Sequence, residues 1–243
     1  MVLWFVVASA VVFSYTVFGL TGFGAAIILI PALSFLLPIK LVIPLVVMLG
    51  FLASITLSLG VRRFAVKREL LWMIPGMALG VALGTYSLVR LPSHWLLVAL
   101  GIVVVAFGLN GLRGAVPRRP VSQRLALPAG VVGGVMGGLF GTEGPIYVMY
   151  LSRRISGKSE LRATIATLFI LSGATRIGSY AVGGLFGQPH VLLWVLALYP
   201  CVLFGIFLGN RLHHSLSVEQ VRTGVQALLI LSGLSILWRA LFA

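Results

Sequence analysis

The chain has 243 residues, of which 60% are hydrophobic and 9% are charged, and its mean hydropathy is +1.12. Soluble domains carry about 25% charged residues, so this composition excludes one and predicts a polytopic membrane protein. The net charge of +14 does not indicate nucleic-acid binding, because the basic residues lie between apolar stretches, as cytoplasmic loop charges do. A single cysteine, Cys201, excludes an intrachain disulfide and a cysteine-based metal site, and the sequence predicts no metal and no cofactor.

Apolar stretches follow one another along the whole chain, and a membrane-spanning helix needs about 20 such residues. Two regions do not fit this length. Val2–Leu37 is too long for one helix and is interrupted at Gly19–Gly24, and Leu125–Leu151 is long for one helix, short for two and interrupted at Gly133–Gly144. The stretches that fit are Leu41–Leu59, Leu70–Val89, Trp95–Leu112, Leu161–Gly184, Val191–Asn210 and Val221–Leu241.

Loop charge indicates how the two interrupted regions are placed. If each enters and leaves on the same side of the membrane, 14 of the 18 basic residues share one side, and only Lys40, Arg90 and Arg239 lie on the other. If the second region crosses once, the split becomes nearly even. The positive-inside rule favours the first arrangement. It predicts a multi-pass protein of the cell (plasma) membrane with both termini on the non-cytoplasmic side.

Glycines recur in order along the two halves of the chain. Glycines four apart are typical of close helix–helix contact, and this packing role alone would explain two of the pairs. The ordered series instead favours an internal repeat. The matches are Gly19 with Gly138 and Gly22 with Gly141 at an offset of 119, and Gly80 with Gly205, Gly84 with Gly209 and Gly108 with Gly233 at an offset of 125.

The predicted fold is therefore an all-α polytopic membrane protein with two repeats. Residues 1–112 form the first, residues 113–124 a basic cytoplasmic linker, and residues 125–243 the second. Each repeat is predicted to have a broken or membrane-dipping helical pair followed by three transmembrane helices. Corresponding loops fall on opposite sides of the membrane, so the repeat is inverted, which is a recurring transporter architecture.

At these glycines the chain resembles the sulfite exporter TauE/SafE family, also called the toluene sulfonate uptake permease family. The similar residues are G-L-T-G-F-G at Gly19–Gly24, followed by Pro31, and the glycine motif Gly137–Pro145. Leu161–Thr164 and Leu171–Gly173 are similar as well. The resemblance covers nearly the whole chain and implies a secondary transporter for sulfur-containing anions, such as sulfite or organosulfonates.

The two glycine-rich breaks are candidate substrate sites. An anion in a bilayer needs replacement for its hydration shell, and N–H groups at helix N-termini supply it. Two matched breaks predict a substrate held between them near the bilayer midplane; the alternative is that the glycines only let helices pack or bend. The substrate-binding residues predicted here are Thr21, Gly22, Phe23, Gly24, Gly141, Thr142 and Gly144.

Arg176 is the cation predicted to bind substrate, together with Ser172 one turn earlier. It lies about 22 Å into its helix at 1.5 Å per residue, where a guanidinium needs a partner or an aqueous cavity. Arg162 and Tyr180 fall along the same helix and extend the predicted path. The alternative for Arg176 is a fixed ion pair with Glu143.

Glu143 is the one acidic residue clearly at membrane depth. It stands where the resemblance leads us to expect a small or weakly polar residue. An unpaired carboxyl there would carry protons, whereas a permanent pair with Arg176 would not. The sequence leaves both roles open, together with a third in which Glu143 repels anions and indicates a cationic or zwitterionic substrate.

The function predicted is a secondary transporter of small anions that lies in the lipid bilayer. The alternatives are a passive anion channel on the same scaffold, or an accessory membrane subunit without a substrate of its own. No Walker motif and no His-Glu-x-x-His motif appears, so neither nucleotide use nor metal hydrolysis is predicted. The oligomeric state stays open, a homo-oligomer included.

Overall fold

The computed structural model describes residues 2–21, 24–58, 64–112, 121–186, 191–212 and 218–242, and these ranges contain helices and turns but no strand. A short 3-10 turn, Gln123–Leu125, leads into α6. The α-helices are α1 (Val2–Thr21), α2 (Ala25–Ser34), α3 (Ile39–Ser58), α4 (Lys67–Arg90), α5 (Ser93–Leu112), α6 (Ala126–Phe140), α7 (Gly144–Leu151), α8 (Lys158–Val182), α9 (Val191–Leu212) and α10 (Val218–Phe242).

The polytopic helical class is confirmed. Within the described residues, six helices are long and apolar enough to cross a membrane: α1, α3, α4, α5, α8 and α9. Each stretch predicted to span the membrane coincides with one helix to within a few residues at either end. Two shorter apolar helical segments, Ala25–Ser34 and Leu229–Trp238, accompany them.

Both predicted interruptions are present. The first lies between α1 and α2, where Gly24 has a φ of 95°, and Gly22 and Phe23 lie outside the described residues. The second is shorter than predicted: α6 continues through Gly133 to Phe140, so that only residues 141–143 interrupt the helix. Gly133 lies inside the continuous helix α6, where its missing side chain makes room for the ring of Tyr147.

The chain forms two compact units, and each draws helices from both predicted repeats. One unit holds α1, α2, residues 39–46 of α3, α5, α9 and α10. Inside it α1 packs on α9 and α5 on α10. The other unit holds residues 47–58 of α3 with α4, α6, α7 and α8. Inside it α4 packs on α6 and on α8.

One glycine contact brings α4 and α6 together. A β-carbon at Gly84 would lie 2.5 Å from the Val135 carbonyl oxygen and 3.0 Å from Cα of Gly138. One turn earlier, a β-carbon at Gly80 would collide with the Val131 carbonyl oxygen. The backbones of the two helices are therefore in direct contact, which is the packing role predicted for glycines four apart.

The same contact recurs between α9 and α1. A β-carbon at Gly209 would collide with the carbonyl oxygen of Thr16 and lie 2.9 Å from Cα of Gly19. A β-carbon at Gly205 would lie 2.7 Å from the Val12 carbonyl oxygen. The residues in contact therefore correspond between the two units. Gly80 and Gly84 of α4 match Gly205 and Gly209 of α9 at an offset of 125, and Gly138 of α6 matches Gly19 of α1 at an offset of 119.

Candidate substrate site at the α6–α7 break

A tight turn connects α6 to α7. Gly141 caps α6 in the left-handed conformation, with φ 63° and ψ 27°, which glycine adopts with little strain. Its N–H donates to the Gly137 carbonyl at 2.8 Å, and the Thr142 N–H reaches the Met136 carbonyl at 3.4 Å. Pro145 lies in the first turn of α7, where its missing N–H has no intrahelical partner to lose. The turn buries Thr142, Glu143 and Gly144.

A buried ion pair lies at this turn. Arg176 Nη1 of α8 is 2.7 Å from Glu143 Oε2, and the two residues are 5% and 3% exposed. Gly137 makes room for the carboxylate, because a β-carbon there would lie 3.1 Å from Glu143 Oε2. Breaking a buried pair from one side leaves an uncompensated charge, at a cost of about 3–5 kcal/mol. The pair therefore fixes the N-terminal end of α7 against α8.

Carbonyl groups of α6 face the same side chains of α8. Tyr180 donates a 2.7 Å hydrogen bond to the Gly138 carbonyl, and Arg176 Nη1 lies 3.5 Å from the Gly137 carbonyl. Neither oxygen is shielded by a side chain on its own residue, since both residues are glycines. Gly137 and Gly138 at the end of α6 thus present their carbonyl groups to α8, and Gly138 also lets α4 approach closely.

Several buried polar groups near the pair have no hydrogen-bond partner among the described residues. They include Arg176 Nε and the hydroxyls of Ser172 and Tyr147. Tyr147 lies next to Ser172 and within electrostatic reach of Glu143 and Arg176. Buried polar groups are nearly always satisfied, so these groups without a good partner among the described residues mark the turn as the candidate site.

The structure brings together only some of the predicted site residues. Ser172, Arg176 and Tyr180 of α8 are buried and lie near the α6–α7 turn, with Glu143 paired to Arg176. Arg162 is exposed at the start of α8. At the first break Gly24 is at the N-cap of α2. The Thr21 side chain, Gly22 and Phe23 lie outside the part of the chain that the structure describes.

Tyr147 was not predicted from the sequence. It follows Glu143 by four residues, which is one helical turn, so this spacing on α7 was the available signal. Its ring packs on Gly133 and lies 6.4 Å from the ring of Phe169, between centroids.

A second buried cluster was also missed. Glu69, in the first turn of α4, is 4% exposed and accepts hydrogen bonds from Tyr150 and Arg154. Arg154 also donates to the Val121 carbonyl at 3.1 Å. In the sequence Arg154 is identified only as a basic loop residue. It lies 85 residues from Glu69, so no local pattern connects the two.

These features define a polytopic helical membrane protein with a buried ion pair at a broken helix, an arrangement typical of transporters. The chain belongs to the sulfite exporter TauE/SafE family, whose profile matches residues 6–236. The family resemblance of the glycine motifs is thereby confirmed. Members of this family are membrane transporters, so the protein is a transporter and not an enzyme.

Two relatives show how far the similarity extends. The chain is 31% identical over 172 residues to a probable inner membrane transporter protein TsaS of Comamonas testosteroni, covering 69% of this chain and 72% of the relative. It is 26% identical over 183 residues to a probable sulfite/organosulfonate exporter TauE of Cupriavidus necator, covering 74% and 70%. No solved structure matches the chain significantly.

Proposed function

We propose that this protein is a secondary transporter of the cell membrane that carries sulfite or an organosulfonate. The substrate class is supported by family membership and by the relative described as a probable sulfite/organosulfonate exporter. The location in the inner membrane is supported by the relative described as a probable inner membrane transporter. The observation that carries the proposal is the buried Arg176 beside the α6–α7 break.

The donors at the second break suit a sulfur oxyanion. A sulfonate or sulfite presents three oxygens around one sulfur atom and needs several hydrogen-bond donors once its water is removed. Arg176 Nε and the Ser172 hydroxyl make no hydrogen bond with the described residues. At the start of α7 the Gly144 N–H is the remaining backbone donor, because Pro145 has no N–H and the N–H groups of Ile146 and Tyr147 already donate to the Glu143 carbonyl. The Thr142 hydroxyl already donates to the Met136 carbonyl oxygen at 3.5 Å, so it is the weaker donor in this proposal.

The remaining predicted residues stay part of the proposal. Thr21, Gly22, Phe23 and Gly24 are proposed as donors to substrate at the first break, and Arg162 and Tyr180 of α8 as residues of the approach to the second. Glu143 is the proton-coupling group. The matching glycine contacts of α4 with α6 and of α9 with α1 support two repeats. The loop-charge bias supports their inversion and termini on the non-cytoplasmic side.

Transport into proteoliposomes tests the substrate class. The reconstituted protein is offered sulfite, methanesulfonate, toluenesulfonate, thiosulfate and acetate, with and without a pH gradient. We expect sulfite or a sulfonate to accumulate and the others to compete weakly. Accumulation of acetate alone, or of none of these anions, contradicts the proposal. A potential-driven anion current that cannot build a gradient replaces it with a passive channel.

Arg176 variants test the site. Arg176→Ala leaves Glu143 buried without its cation, so a loss of transport by itself could reflect a loss of fold. The double variant Arg176→Gln, Glu143→Gln removes both charges at similar volume and avoids this. We expect the double variant to fold and to transport at less than about a tenth of the wild-type rate, which corresponds to a loss of about 1.4 kcal/mol. The matched control is Arg124→Ala, an exposed arginine outside the site. Undiminished transport by the folded double variant contradicts the assignment.

A further inference from the structure

Arg176 has more donors than partners. A guanidinium carries five N–H donors in a planar fork. Here Nη1 serves Glu143 at 2.7 Å and lies 3.5 Å from the Gly137 carbonyl, while Nε has no partner among the described residues. The contact with Glu143 is therefore one-sided rather than the bidentate contact that makes arginine–carboxylate pairs strong. The guanidinium retains an edge for a second anion.

The surrounding donors favour an oxyanion as that second ligand. The Ser172 hydroxyl, one turn before Arg176, is fully buried. The Tyr147 hydroxyl interacts with that of Ser172, and neither makes a hydrogen bond of good geometry with a described residue. Hydroxyls and a guanidinium N–H together match the several oxygens of a sulfonate.

The single positive charge of Arg176 cannot balance the Glu143 carboxylate and a bound anion at the same time. The pair of Glu143 and Arg176 is neutral, so an arriving anion would leave one net negative charge buried beside the α6–α7 turn. An uncompensated buried charge is strongly unfavourable, whereas a buried carboxylic acid that keeps a hydrogen bond is tolerated. Binding of the anion therefore requires that the carboxylate be neutralised.

We propose that the transported anion binds the free edge of Arg176 and that Glu143 takes up one proton as the anion arrives. This inference rests on the proposed function. The proton comes from water on the side to which the site is open and forms the O–H bond of the Glu143 carboxylic acid. Release of the anion reverses the step: the proton returns to water and the ion pair forms again. One anion and one proton then travel together, and the empty site rests as a neutral ion pair.

Few other titratable groups face Glu143. On α8 they are Arg176 and Tyr180, and on α7 there is Tyr147. α6 presents Gly137 and has no titratable residue along its length. α4 packs on α6 and α8, and its Thr85, which does not titrate, lies near Gly138 and Gly183. Glu143 is the carboxyl group in contact with Arg176, so the proposal assigns the proton to it.

Calorimetric binding of methanesulfonate to the full chain in detergent tests the inference. Methanesulfonate stays ionised across the accessible pH range, whereas sulfite titrates near neutrality and would add protons of its own. Titrations in two buffers of different ionisation enthalpy count the protons taken up per anion. We expect one proton for the wild type and an affinity that rises about tenfold for each pH unit lowered. For Glu143→Gln we expect no proton uptake and an affinity that does not vary with pH.

The outcomes separate this inference from the proposed function. If the wild type binds neither methanesulfonate nor sulfite at any pH, the proposed function fails and this inference with it. If the wild type binds methanesulfonate without proton uptake, only this inference is overturned. The same holds if Glu143→Gln takes up as many protons as the wild type. The wild-type proton count decides the matter even if the Glu143→Gln chain does not fold.

Ser172→Ala provides a second readout. Its hydroxyl interacts with that of Tyr147 but makes no hydrogen bond of good geometry with a described residue, so removing it should change the unfolding temperature little. We expect methanesulfonate affinity to fall about tenfold, the equivalent of 1.4 kcal/mol. Thr175→Ala, whose hydroxyl bonds the Leu171 carbonyl of its own helix, is the matched control with unchanged affinity. Full affinity in Ser172→Ala overturns the donor assignment.

Discussion

The Tyr150 hydroxyl donates a 2.7 Å hydrogen bond to Glu69 Oε2 and joins the last turn of α7 to the first turn of α4. Arg154, just after α7, binds the other oxygen of the same carboxylate through Nε at 3.1 Å and Nη2 at 2.8 Å. At its opposite end, α7 is preceded by Glu143, which pairs with Arg176. An eight-residue helix is marginal on its own. Charged contacts at both ends therefore hold α7 in place.

Glu69→Ala should destabilise the second unit by about 2 kcal/mol. The change removes the acceptor of Tyr150 and the partner of Arg154, but Arg154 is 26% exposed in its side chain and can be hydrated, which keeps the loss below that of a fully buried pair. The measurement is the midpoint of thermal unfolding in detergent. Tyr86→Phe, on the exposed side of α4, is the control with an unchanged midpoint. A Glu69→Ala midpoint equal to that of the wild type contradicts the role of the cluster.

The contribution of Arg154 to the free energy of unfolding should not vary from about pH 7 to about pH 10. The hydrogen bond to Glu69 raises the pKa of Arg154 above its ordinary value. A group with a raised folded-state pKa contributes stability that is fully present below its unfolded pKa and is lost only as the pH rises through the folded value. For an arginine both values lie above this range. The difference in unfolding midpoint between wild type and Glu69→Ala should stay constant there, and a difference that vanishes by pH 10 contradicts the ion pair.

Gly84→Ala should destabilise the contact between α4 and α6 by about 1–3 kcal/mol, the range for overpacking a tight contact. Its β-carbon would lie 2.5 Å from a backbone oxygen and 3.0 Å from Cα of Gly138, and backbone cannot move aside as a flexible side chain can. Gly178→Ala is the matched control, because a β-carbon there would meet no described atom within 4 Å. Alanine also favours the helix by up to about 1 kcal/mol at an open position.

The two variants should therefore shift the unfolding midpoint in opposite directions. Gly209→Ala tests the repeat in the same assay, because it replaces the sequence-matched glycine at the equivalent contact of α9 with α1. We expect it to lower the midpoint about as much as Gly84→Ala does. A Gly84→Ala midpoint at or above that of Gly178→Ala would show that the α4–α6 contact tolerates a methyl group.

Local sequence patterns predicted much of the helical structure but not the choice of neighbours. Apolar length located the spanning helices, and paired glycines located close contacts, because both properties are carried by consecutive residues. The partner of Gly84 is not in its own repeat but on α6, at Gly138. Hydropathy does not specify which helices pack together, since any apolar helix face can be buried against any other.

The candidate site was predicted in part for the same reason. Depth in an apolar span singled out Arg176 and Glu143, and their pairing, one of two alternatives from the sequence, is present at 2.7 Å. Ser172 followed from its helical spacing to Arg176. The cluster of Glu69 with Tyr150 and Arg154 was not predicted. Tyr150 and Arg154 lie 81 and 85 residues from Glu69 in the sequence, and the charge of a loop arginine does not identify the residue it pairs with.

Gly24→Ala should measure backbone strain at the first break without a steric contribution. Gly24 has a φ of 95° at the N-cap of α2, yet a β-carbon there would meet no described atom within 4 Å. An L-residue in the left-handed region costs about 1–2 kcal/mol, and asparagine tolerates it better than alanine. We expect Gly24→Ala to lower the unfolding midpoint and Gly24→Asn to lower it less. If both variants match the wild type, the left-handed turn is not required between α1 and α2, and the first break is less constrained than the second.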